Sequence, residues 1–139
     1  MSSQLATFTL DGRLYGVDVD RVQEVLRCQP RTRVPLAPAA VAGLVNLRGQ
    51  VLTAIDLRER LGLPPREPGV EPMVVVIRVS GEPISLLVDS IGDVVDVEPK
   101  DFEAPPDTLV DGGRELVLGV YKLPGRLLLA LDPDRAVAV

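Results

Sequence analysis

The sequence predicts an all-β fold with short helices, arranged as two small β-barrels related by a pseudo-two-fold axis. Three observations carry that expectation. Gly and Pro, 12 and 13 of the 139 residues, are frequent enough to mark many turns without reaching the level of low-complexity chain. Apolar runs such as Met73 to Ile77 and Leu127 to Leu131 are short and bounded by turn residues, as buried strands are. The same order of strands, turns and apolar segments also occurs twice.

From Phe8 to Leu26 the chain reads as a strand, a turn at Asp11-Gly12, a second strand and a short helix carrying Val19, Val22, Val25 and Leu26. Strands from Val41 to Leu47 and from Gln50 to Ile55 turn on Gly49, and a helix follows Asp56. With Gly12 set on Gly81, Val19 falls on Val88, Asp20 on Asp89, Val22 on Ile91 and Val25 on Val94. With Gly43 set on Gly119, Leu47 falls on Leu123, Gly49 on Gly125, Ala54 on Ala130 and Asp56 on Asp132. The later hairpin, Leu116 to Leu123 and Arg126 to Leu131, is as continuously apolar as the earlier one, which implies strands covered on both faces. The simplest organisation is one domain over 1–139 holding two copies of one unit, 5–62 and 73–139, joined by the Pro-rich linker 63–72. Small sheets curl to remove their edges, so two barrels side by side are expected, with a groove at their boundary.

Composition removes whole classes of function. With no His, neither a Ser-His-Asp triad nor an imidazole zinc site can form, and with one Cys neither can a thiolate zinc site or an intrachain disulfide. A net charge of -5, no Trp and 3% aromatic residues argue against nucleic acid as a partner. No apolar run approaches the roughly 18 residues that suggest a membrane span. The start, Met1-Ser2-Ser3-Gln4, lacks the basic and apolar parts of a secretory signal, so a cytoplasmic protein without direct membrane insertion is expected. Cys28 suits that compartment and reads as a small packed hydrophobe.

Asp20, Asp56, Asp89 and Asp132 recur at the ends of apolar strands. Asp56 and Asp20 have the spacing of capping boxes and Asp132 precedes Pro133, so all four are expected to cap helix starts rather than to bind metal or catalyse. Asp93, Asp96 and Glu98 alternate with Val94, Val95 and Val97, as on a solvated strand or helix face. A carboxylate-dependent hydrolase using a pair such as Asp89 and Asp93 is a remote alternative that no pocket or pKa signal marks. Arg48, at the hairpin tip where the second copy has Pro124, is either a solvated charge or a guanidinium presented to a partner. Glu24 is either an exposed carboxylate, an intrachain partner for an arginine, or part of that recognition.

Several ordered segments together resemble the chemotaxis coupling proteins called CheW and the CheW-like domain of the chemotaxis histidine kinase CheA. These are Tyr15-Gly16-Val17-Asp18-Val19 with Val22-Gln23-Glu24-Val25, then Pro35 and Pro38 before Gly43-Leu44-Val45-Asn46-Leu47-Arg48-Gly49, then Ile55-Asp56-Leu57-Arg58. Leu87-Val88-Asp89, Gly119-Val120-Tyr121-Lys122-Leu123 and Leu131-Asp132 complete the set, and the likeness runs from Phe8 to Val137. It implies two intertwined five-stranded, SH3-like β-barrels and a non-enzymatic adaptor, without cofactor or metal, that couples CheA to transmembrane chemoreceptors at the inner face of the membrane. By the same resemblance the groove between barrels takes the cytoplasmic receptor tip, with Val19, Val22, Glu24, Gly43 and Arg48 as receptor-binding positions. Other barrel surfaces would bind the CheW-like domain of the kinase, at residues the resemblance does not assign. A scaffold of the same fold serving another signalling system is the alternative. The chain departs from the family pattern at Ser85, where Gly is usual, and in its short tail after Asp132-Pro133-Asp134-Arg135.

Overall fold

A computed structural model describes residues 3–27, 29–105 and 115–138. Cys28 lies outside the described residues, so its packing is not at issue. The chain is mostly β: β1 (Ser3–Leu10), β2 (Arg13–Asp18), a 3-10 turn (Val19–Arg21), β3 (Val22–Leu26), β4 (Arg31–Thr32), β5 (Val41–Leu47), β6 (Gln50–Asp56) and α1 (Leu57–Arg60) come first. Then follow β7 (Met73–Val79), β8 (Glu82–Val88), β9 (Ser90–Val97), a 3-10 turn (Pro99–Asp101), β10 (Phe102–Glu103), β11 (Val117–Leu123), β12 (Arg126–Leu131) and α2 (Pro133–Ala136).

Two six-stranded sheets form, ordered β10-β11-β12-β2-β1-β9 and β3-β7-β8-β6-β5-β4. Each is an SH3-like barrel of five long strands extended by a two-residue strand. Neither sheet is one sequence segment. The first hairpin, β1–β2, joins the sheet completed by β9 to β12, whereas β7–β8 joins the sheet of β3 to β6. Strand exchange therefore intertwines the two barrels, as the family resemblance implies, each sheet taking one hairpin from the other copy. When β1–β6 are laid on β7–β12, the two sheets have the same order. Their parallel junctions also match, Ala54 beside Ser85 in one and Ala130 beside Gly16 in the other.

The exchange explains the continuous apolar strands. On β7, Val74 and Val76 point into one barrel with Val45, Leu52 and Leu87, while Val75 and Ile77 point into the layer between barrels with Phe8, Tyr15 and Leu129. On β12, Leu128 and Ala130 fill the other barrel while Leu129 and Leu131 face the shared layer. A strand buried on both faces loses the alternation that marks a half-exposed one. Hairpins turn where the sequence places them: Asp11-Gly12, Arg48-Gly49 and Ser80-Gly81 all have positive φ, the geometry that matches strand twist in a two-residue turn.

Three expectations need correction. Val22–Leu26 is a strand, not a helix, because its β-branched residues pair with Ile77 to Val74 of β7 and the helical spacing is confined to one 3-10 turn. Asp20 does not cap that turn; Asp18 does, accepting from the Asp20 amide at 2.9 Å. Asp89 caps no helix either, since β9 follows at once. Asp56 and Asp132 do cap, the first accepting from Arg58 N and the second from Asp134 N and Arg135 N.

Candidate functional site

The strands leaving the two crossovers, β3 after β2 and β9 after β8, are the outer strands of their sheets, and a cavity of about 200 Å³ opens between them. Val19, Val22 and Val25 form one wall and Ile91 and Val94 the other, with Ala6, Thr7, Phe8 and Val75 behind. Val25 and Val94 stand half in solvent on the two walls. The lining is almost wholly apolar; Glu24 is its one ionisable group. Gly92 keeps the wall close to β1, because a Cβ there would lie 2.6 Å from Thr7 Oγ1.

Glu24 is held by Arg48. Arg48 Nη1 donates to Oε2 at 2.8 Å and Nη2 to Oε1 at 2.7 Å, a fork that joins β3 to the β5–β6 tip. That hydrogen bonding keeps the Glu24 carboxyl below the usual carboxylate range and raises the Arg48 guanidinium further. The side chain of Arg48 remains 75% exposed while that of Glu24 is 19% exposed. The arginine is thus presented outward with two of its five N–H donors engaged. Its φ of 51° is unfavourable for a residue with a Cβ, and the Asn46 Oδ1 bond to Gly49 N at 3.0 Å supports the turn.

The structure lines this groove with Val19, Val22 and Glu24 and sets Arg48 beside it through the fork, but leaves Gly43 out of the lining. Gly43 has φ 142°, and a Cβ on it would lie 2.5 Å from the Thr32 carbonyl oxygen. The backbone that needs this glycine close is therefore β4 of the same chain, at the register shift between Val41 and Gly43. Gly119 does the same beside Glu103, where a Cβ would meet the carbonyl oxygen at 2.5 Å.

Sequence reasoning missed the support behind the β9 wall. Asp89, the single residue between β8 and β9, accepts from Arg58 Nε at 2.9 Å, Arg58 Nη2 at 2.5 Å and Asp11 N at 2.8 Å. Arg66 from the Pro-rich linker adds an ion pair at 3.0 Å and reaches Asp56 at 3.3 Å. Burial opposes ionisation of Asp89, but the Arg58 bonds, the Asp11 amide and the Arg66 charge outweigh it and keep the carboxyl below its ordinary range. The groups that contact its carboxylate are guanidinium and amide N–H donors, which is the setting of a structural anchor and not of a proton-transfer base. Among the described residues no group of acidic or thiol side chains is arranged to hold a metal ion. No helix among them is long and apolar enough to cross a membrane.

Comparison with known proteins matches this architecture. A solved structure described as the scaffolding protein TtCheW from Thermoanaerobacter tengcongensis is similar with a TM-score of 0.88 and 26% identity, covering 100% of this chain and 94% of that one. Chemotaxis protein CheW of Rhizobium meliloti is 34% identical over 131 residues, 94% of this chain and 84% of that protein. The CheW proteins of Treponema pallidum and Bacillus subtilis are 33% and 30% identical, over 93% and 94% of this chain and 78% and 84% of theirs. With the family model for the CheW-like domain matching residues 4–139, the chain belongs to the CheW-like domain family.

Proposed function

We propose that the chain is a non-enzymatic chemotaxis adaptor that couples the histidine kinase CheA to transmembrane chemoreceptors. The observation that carries the reading is the valine-walled groove between β3 and β9 with the Glu24–Arg48 fork at its side. A helical receptor tip carries an apolar stripe that such a groove can desolvate, and a charged group beside it sets register and rejects mismatched partners. Val19, Val22 and Glu24 act as direct contacts and Arg48 as the presented charge, while Gly43 contributes by holding β4 against β5. The kinase's CheW-like domain binds elsewhere on the barrels, and the adaptor reaches the inner face of the membrane through the receptors.

Contacts of this size need not be tight. A micromolar Kd, about -8 kcal/mol, suffices when receptors and a dimeric kinase raise the effective concentration in an array. The test is co-sedimentation with receptor-containing membranes and, separately, with the kinase, for the natural chain and Arg48→Ala. The expected result is that the natural chain binds both and Arg48→Ala loses the receptor while keeping the kinase. Binding to neither partner would overturn the coupling role in favour of a scaffold for another signalling system.

A further inference from the structure

β9 holds in its sheet the place that β3 holds in the other, and the β11–β12 hairpin the place of β5–β6. Registers agree in detail. Val22 lies opposite Ile77 and Ile91 opposite Phe8, each just before a shift in register, so Glu24 and Asp93 occupy the same place at the irregularity. Leu47 with Gln50 and Leu123 with Arg126 close the two hairpins, so Arg48 and Pro124 occupy the same place at the tips.

In one half the space between these two places is spanned by the Arg48–Glu24 fork. In the other, Pro124 has no side chain long enough to span it, and a cavity of about 470 Å³ remains between β9 and the β11–β12 tip. Asp93 lines that cavity and its carboxylate makes no ion pair among the described residues; its carbonyl oxygen accepts from Thr7 Oγ1 at 2.5 Å. Asp96, which accepts from Gln4 Nε2 at 3.0 Å, also lines it, and the two carboxylates outweigh Arg126 on the rim. Leu14, Ile91, Val95 and Leu123 supply apolar wall for the stem of a long side chain.

We propose that this cavity receives an arginine side chain from a partner protein, seated against Asp93 in the place where Arg48 meets Glu24 within the chain. The charge of the lining favours a cation. Arginine suits it better than lysine, because the internal counterpart is a planar fork on a carboxylate and a guanidinium repeats that geometry. The cavity shares the β9 wall with the valine groove but does not need a receptor there to be tested.

The probe is a capped pentapeptide of the tip's own sequence, Asn-Leu-Arg-Gly-Gln, titrated into the 15N-labelled full chain by NMR. Shifts centred on the amides of Thr7, Asp93 and Leu123 are expected, with millimolar affinity. Replacing the peptide's arginine by neutral citrulline, or Asp93 by asparagine (Asp93→Asn), is expected to weaken binding about tenfold. Because Asp93 is exposed, the variant retains the fold, which its unperturbed spectrum will verify. Equal binding of the citrulline peptide, shifts centred away from β9 and the β11–β12 tip, or no shifts up to the solubility limit would each overturn the proposal.

Discussion

Arg58 and Asp89 meet through two hydrogen bonds, at 2.9 and 2.5 Å, at the point where the chain passes from one sheet to the other. The same guanidinium donates from Nη1 to the Pro64 carbonyl at 2.7 Å, and the same carboxylate takes the Asp11 amide at 2.8 Å. One ion pair thus ties α1, the linker, the β1–β2 turn and the start of β9 together. At the opposite crossover, β2 to β3, Arg21 pairs with Asp134 at 2.7 Å and donates from Nε to the Arg78 carbonyl at 3.0 Å, with the paired side chains 33% and 64% exposed against 14% and 20% for Arg58 and Asp89.

Asp89 gives the fold an acid-sensitive anchor. Its folded pKa is depressed below the ordinary aspartate value of 3.8, so its contribution is present in full above that value and is lost as pH falls through the folded pKa. Asp89→Asn is expected to cost about 2 to 3 kcal/mol near neutral pH, because Arg58 and Arg66 are left without their shared charge. Urea unfolding at pH 7 and near pH 3 checks both parts: the gap between the natural chain and Asp89→Asn should narrow at the lower pH. A constant gap would mean that the ion pair is not the stabilising element.

Ser85 is wholly buried and its Oγ has no hydrogen-bond partner among the described residues, next to Ala54 on the parallel strand. Gly16 stands at the matching junction of the other sheet, with no side-chain hydroxyl to bury. Removing an unsatisfied buried hydroxyl returns its desolvation cost, so Ser85→Ala is expected to stabilise by about 1 kcal/mol. A rise in the urea midpoint at unchanged slope is the result to look for; a fall would show that the hydroxyl is satisfied in solution.

Gly43 and Arg48 should separate cleanly in mutants, although the family resemblance groups them as receptor positions. Gly43→Ala forces a Cβ against the Thr32 carbonyl at a φ that side chains rarely adopt, and is expected to cost about 2 kcal/mol or more. Receptor and kinase binding should then fall together, in step with the loss of folded protein. Selective loss of receptor binding by a fully folded Gly43→Ala would instead place the glycine in direct contact with the partner.

Hairpins were legible in the sequence because turns on Asp11-Gly12, Gly49 and Gly125 are local chemistry, and the resemblance named Val19, Val22, Glu24 and Arg48 near what the structure shows to be one groove. The β3 strand was not legible: Val22, Val25 and Leu26 fit a helical period as well as a strand, and only pairing with β7 decides. Strand exchange was legible only through the resemblance, which implies intertwined barrels, since both copies have the same local grammar whichever partner each hairpin selects. Arg66 was invisible because a lone arginine in a Pro-rich linker carries no pattern, and its Asp89 partner is brought to it by the crossover alone. The opposite wall, Ile91 and Val94, was visible only as the counterpart of Val22 and Val25.

The Glu24–Arg48 fork poses a choice between positioning and contact that a charge exchange resolves. In the double variant Glu24→Arg with Arg48→Glu, the hydrogen-bonded fork can re-form with its partners reversed, while the group presented at the tip becomes a carboxylate. If the fork serves only to hold the tip against β3, each single exchange should impair receptor binding by placing like charges together, and the double exchange should restore it. If the exposed guanidinium itself meets the receptor, the double exchange should recover the fold and kinase binding but not the receptor. The second outcome is expected, because Arg48 is 75% exposed and keeps unused donors facing outward while Glu24 is largely covered. Co-sedimentation with receptor membranes and with kinase, on one set of four proteins, distinguishes the two.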